Sequence, residues 1–144
     1  MGLASLDGLG IGSDDRLALG AAGALLRYLS ELQPGALLKS AWRVVNGDVT
    51  RTRAFCEGRI AIQDEASQLA AMLSGARPGE QVVDLCAGAG GKTLALAAMM
   101  QNKGQIFATD DDKRRLAPIH DRLKRSGARN VQVRSPKSVG GEID

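Results

Sequence analysis

The residues best suited to chemistry lie together in Asp84-Leu85-Cys86-Ala87-Gly88-Ala89-Gly90-Gly91-Lys92-Thr93. Small residues in such a run let a ligand approach the main chain. The free N–H groups of a helix that follows favour an anionic or polar group. Spacing then separates the ligand classes. A phosphate-binding P-loop places a glycine five residues before its Gly-Lys-Thr, and that position is Cys86, so the loop is broken. A dinucleotide fingerprint Gly-x-Gly-x-x-Gly begun at Gly88 ends at Thr93, where its last glycine belongs, and fails as well.

The third class is the S-adenosylmethionine (SAM) site of Rossmann-like proteins, which needs the glycine turn and an acid after the next strand to bind ribose hydroxyls. Asp110 follows Ile106-Phe107-Ala108-Thr109 and stands 20 residues beyond Gly90, the distance that geometry requires. Two blander readings stand beside it. A glycine turn also serves close strand-to-helix packing, and Asp110, Asp111 and Asp112 also suit the start of a helix through its dipole. Cys86 reads most simply as a small buried residue, His120 as structural or exposed, and Lys113, Arg114, Arg115, Arg122, Lys124 and Arg125 as a solvated helix face.

The elements that must position these residues follow from periodicity. Gln81–Leu85 reads as a buried strand, Lys92–Met100 as a helix, Gln105–Thr109 as a strand, Lys113–Arg125 as a helix and Asn130–Arg134 as a strand. Pro118 should kink the second helix or delay its start. This alternation predicts parallel pairing with right-handed crossovers, the first part of a doubly wound sheet. Upstream, Arg59–Ile62 alternates like a strand and Asp64 can cap a helix reaching about Leu73. Asn46-Gly47, between Val44-Val45 and Val49-Thr50, predicts a short hairpin. Ser13-Asp14-Asp15 opens, and Gln33-Pro34-Gly35 closes, an expected first helix with Leu25, Tyr28, Leu29 and Leu32 on one face. The fold expected is α/β, an incomplete Rossmann-like parallel sheet of about three strands with an N-terminal helix. Residues 1–58 would form a helix and linker or hairpin, and residues 59–144 the partial SAM-binding domain.

Composition bounds the function. The 144 residues suit one domain, and 3% aromatic content argues against aromatic platforms for stacking bases. Net charge is +3, with 7 basic and 8 acidic side chains in residues 1–75 but 12 and 8 in residues 76–144. That excess in the second half is compatible with nucleic-acid contact without establishing it. Two cysteines at no ligand spacing and one histidine are too few for a structural zinc site, and no metal is expected. The apolar stretch from Leu17 to Leu26 is about half the length of a membrane span. With no secretory signal pattern either, the expected setting is the cytoplasm.

Residues 58–136 resemble the Sun (Fmu) type of RNA cytosine-5 methyltransferases. Two motifs carry the resemblance, Gln63-Asp64-Glu65-Ala66-Ser67 and the run from Asp84 to Thr93, where Gly88-Ala89 replace the usual Ala-Pro. The resemblance implies a class I methyltransferase fold in which Cys86, Ala87, Gly88, Ala89, Gly90, Gly91 and Lys92 wrap the methionine end of SAM and Asp110 holds its ribose. It also implies an adenine-side acid near Arg134-Ser135, where this chain has none. The family attacks cytosine C6 with a cysteine in a later segment, and a second cysteine releases the product. Neither segment follows here, and Cys86 lies in the cofactor turn. The expectation is therefore a SAM-binding fragment that does not methylate alone, with Arg114, Arg115, Arg122, Lys124 and Arg125 as candidate RNA contacts. Residues 6–39 resemble the connector-domain helix of MutS mismatch-repair proteins, which raises the alternative of a chimeric structural module without ligand binding. A free sheet edge predicts a homo-oligomer.

Overall fold

The structure, a computed structural model, describes residues 2–5, 31–38 and 41–134. The parallel sheet is formed by β5 (Gln81–Asp84), β6 (Gln105–Thr109) and β7 (Val131–Arg134) in that order. Val82 pairs with Ile106, and Ile106 with Val131. Helix α3 (Gly91–Met99) crosses from β5 to β6. Two short helices, α4 (Lys113–Leu116) and α5 (Ile119–Ser126), cross from β6 to β7. Strand alternation turns Val82, Ile106 and Val131 toward Leu94, Leu96, Ala97 and Met100, and this core fixes the helices to one face. Pro118 divides what the sequence read as a single helix, because its nitrogen has no proton to donate to the preceding turn.

A second, antiparallel sheet has the order β2-β3-β1-β4, from β1 (Gly2–Ser5), β2 (Glu31–Pro34), β3 (Ala41–Asn46) and β4 (Ile60–Ile62). The sequence reading contained no such sheet. Leu32, expected on a helix, lies in β2 opposite Val44, because pairing with β3 supplies the partners a helix end would lack. The rest of the expected first helix lies outside the described residues. The hairpin at Asn46-Gly47 does not form. Asp48 instead accepts from Thr50 N (3.0 Å) and Thr50 Oγ1 (2.6 Å), capping a 3-10 turn over Val49–Arg51. Thr52 then caps α1 (Arg53–Cys56), and Val49, Ala54 and Ile60 close a small core with Val44.

Helix α2 (Glu65–Leu73) starts as expected, with Asp64 Oδ2 accepting from Ser67 N at 3.0 Å. Its first residue does more than begin a helix. The Glu65 carboxylate accepts from Ala36 N (3.1 Å), Leu37 N (2.7 Å) and Leu38 N (2.8 Å), fastening the segment after β2 to α2. Those amides, Leu37 and Leu38 foremost, hold the Glu65 carboxyl below its ordinary value of 4.5. A depressed carboxyl contributes stability that is complete above the unfolded value and disappears as pH falls through the folded one. Glu65→Gln should therefore melt at a lower temperature than the parent at pH 7. Melting curves taken from pH 7 down to about 2.5 should begin to approach each other near the unfolded value of about 4.3 and meet only as the pH falls through the lower folded one.

Candidate functional site

The glycine turn leaves the C-terminal end of β5 and is fixed at both ends. Thr93 Oγ1, in the first turn of α3, donates to Asp84 Oδ2 at 2.8 Å, with both groups buried. This bond ties the helix start to the strand end. Ala87 N donates to Thr109 O at 2.9 Å, joining the turn to the end of β6. Gly88 and Gly90 have φ of 50° and 84°, a region that favours glycine. At Gly90 a Cβ would also lie 2.5 Å from Ile119 Cγ1, so α5 packs directly against the turn.

Asp110 completes the arrangement. It is 1% exposed, and its two oxygens accept from Gly88 N (2.9 Å) and Asp112 N (3.0 Å). The Asp112 N–H, then that of Gly88, a hydrogen bond with the Asp111 side chain and the charge of Arg115 at 3.9 Å, hold its carboxyl below the ordinary range against the opposing effect of burial. The acid is ionised at neutral pH. The structure thus brings the eight residues singled out for cofactor binding, 86–92 and Asp110, to the carboxyl ends of two adjacent parallel strands, where open α/β sheets bind ligands. Lys92 Nζ turns back to donate to Cys86 O at 3.2 Å, and Cys86 is exposed, not buried as the sequence suggested.

The candidate RNA-facing cations fare differently. Arg114 and Lys124 are exposed, and Arg115 is exposed beside Asp110. Arg122 is not a surface contact. Its guanidinium donates to Ala89 O (3.1 Å) and Ile62 O (2.9 Å), joining the glycine turn to β4, and desolvation pushes its pKa down. Arg125 stacks over Phe55 at 4.0 Å. Sequence reasoning missed these two roles because helix periodicity cannot show which neighbour a cation meets. It also gave Gln63 no part beyond its motif, yet Gln63 is buried directly against Gly91. Arg134, where the resemblance implies an adenine-side acid, lies over Phe107 at 5.1 Å. Among the described residues no cluster of metal-ligating side chains occurs and no helix is long and apolar enough to cross a membrane.

Three parallel strands, crossovers on one face, a glycine turn after the first strand and a buried acid after the second define the class I SAM methyltransferase fold, of which the chain holds a three-stranded sheet. Residues 70–139 match the family model of the 16S rRNA methyltransferase RsmB/F, so the resemblance to Sun-type enzymes holds for this half of the chain. The chain is 34% identical over 97 residues to the probable ribosomal RNA small subunit methyltransferase B of Bacillus subtilis, covering 67% of this chain and 22% of that protein. It is 46% identical over 70 residues to the 28S rRNA (cytosine-C(5))-methyltransferase of Mus musculus, covering 49% of this chain and 15% of the relative. The chain thus spans 15–22% of the length of these relatives. Among solved structures, a methyltransferase homolog protein from Pyrococcus horikoshii superposes with a TM-score of 0.78 at 28% identity, over 96% of this chain and 45% of that one. NSun6 of the same organism, solved with SFG, gives 0.58 at 28% over 69% of this chain and 27% of that one. Because the first likeness runs across both sheets, their union in one chain has a solved counterpart, which gives the chimeric reading no support.

The Thr93–Asp84 bond is the test of how the turn is built. Thr93→Val keeps the shape and removes the donor to a buried carboxylate, and should lower stability by about 1–3 kcal/mol in denaturant titration.

Proposed function

We propose that this chain holds SAM and serves an RNA cytosine-5 methyltransferase. The observation that carries the reading is the Asp110 carboxylate bonded to Gly88 N at 2.9 Å, beside the N-terminus of α3. Each Asp110 oxygen takes one backbone N–H and keeps lone-pair capacity, so a fixed, ionised acceptor is ready for the paired hydroxyls of a ribose. The turn from Cys86 to Lys92 presents backbone to the rest of the ligand. When bound, SAM supplies an electrophilic methyl group on sulfur. The chain's own part is to bind and orient.

Transfer to cytosine requires a thiolate beside the base. Cys86 belongs to the glycine turn, and the Cys56 thiol, at the end of α1, donates to Thr50 O at 3.5 Å in the 3-10 turn before it. We therefore assign neither cysteine to attack. Of the cations named as candidate RNA contacts, Arg114, Arg115 and Lys124 are exposed and suit an RNA phosphate backbone in a cytoplasmic setting.

Calorimetric titration with SAM tests the reading. The parent should bind saturably and Asp110→Asn should bind about tenfold more weakly or worse, since the amide carries no charge and donates where the hydroxyls need an acceptor. A parent that shows no saturable heat would leave a scaffold that kept the motif without the function.

The free edge of the parallel sheet supports self-association. β5 is an edge strand of the parallel sheet, and Val83 within it and Leu85 just after it are 57% and 65% exposed. Sedimentation equilibrium should show a dimer or larger species that Val83→Lys disperses. A monomeric parent at high concentration would refute this.

A further inference from the structure

We propose that Gln63 is the contact for the amino-acid end of the ligand, an inference that rests on the SAM reading above. Gln63 follows β4 and is 6% exposed. Its backbone is satisfied on both sides: its N–H donates to Gly2 O at 2.9 Å and its carbonyl accepts from Gln68 Nε2 at 3.2 Å. Its side-chain amide is not. Neither Oε1 nor Nε2 has a hydrogen-bond partner among the described residues, although both are buried. A buried primary amide without partners is costly, and apolar packing alone would be better served by Leu or Met at this place.

The location says what the amide is for. A Cβ at Gly91 would lie 3.4–3.5 Å from Gln63 Cγ, Cδ and Nε2, so the glycine leaves the space of one methyl group beside the amide. Gly91 is also the first residue of α3, where the helix dipole and free N–H groups favour a carboxylate. An α-amino acid end carries a carboxylate that needs donors and an ammonium that needs acceptors. A primary amide is the neutral side chain that offers both. Asp110 occupies the ribose position at the end of β6, so Gln63 and Asp110 address two different portions of one ligand.

The test pairs SAM with 5′-methylthioadenosine, which keeps the nucleoside and lacks the amino-acid end. Gln63→Met, nearly isosteric and apolar, and Gln63→Leu as a second variant would be titrated with both. Expected is a loss of about tenfold or more in SAM affinity with methylthioadenosine affinity changed less than about twofold. The unliganded variants should melt at or above the parent, since an unpaired buried amide has been removed. Unchanged SAM affinity in both variants would overturn the assignment. So would an equal loss for both ligands, which would make Gln63 a support of the turn. A parent that binds neither ligand would sink the cofactor reading itself, and this one with it.

Discussion

A carboxylate withdrawn from water must have its charge answered by the chain, and Asp110 is answered by the backbone of the glycine turn. That constraint organises the parallel half of the molecule. The Gly88 N–H can reach the acid only if the turn curls back over the end of β6, which requires positive φ and a second tether at Ala87. The replacement of the usual Ala-Pro by Gly88-Ala89 removes a rigid element from the turn. The tethers to Thr109 and Asp110, with Arg122 on Ala89, restrain it from outside.

The two sheets meet in part through α5. Ile119 fills the space over Gly90, Arg122 spans Ala89 and Ile62, and Arg125 lies on Phe55. At its far end, a Cβ on Gly58 would lie against Arg125 O, so the turn before β4 abuts the helix backbone. One short helix therefore touches the glycine turn, the antiparallel sheet and the small core beside it. Pro118 gives α5 a separate start from α4, setting its direction independently of the acids that follow β6.

The parallel half was legible because its signals are local. The apolar strands of Val82-Val83 and Ile106-Phe107, the Asp64 cap and the Pro118 break each lie within a few residues of the structure they determine. That residues 86–92 and Asp110 come to lie side by side was legible for the same reason, since a strand-turn-helix unit converts spacing directly into geometry. The antiparallel sheet was not. β1 and β2 are four residues each, too short to show a period, and β1 pairs with strands about 40 and 60 residues away. Arg122 was misread because its charge placed it on the surface, while two carbonyls from distant segments hold it inside. Thr50, predicted in a strand, instead donates two hydrogen bonds to Asp48, and that local competition removed the hairpin.

The Arg122 bridge bears on the order in which the molecule is assembled during synthesis. It joins positions 60 and 33 residues apart in the chain, so neither bond can close until α5 has left the ribosome. β4 and the glycine turn are both made earlier, and each must wait unlatched while the intervening strand and helices emerge. The glycine turn thus acquires its final shape late, and a nascent chain that ends before α5 presents the motif without one of its restraints.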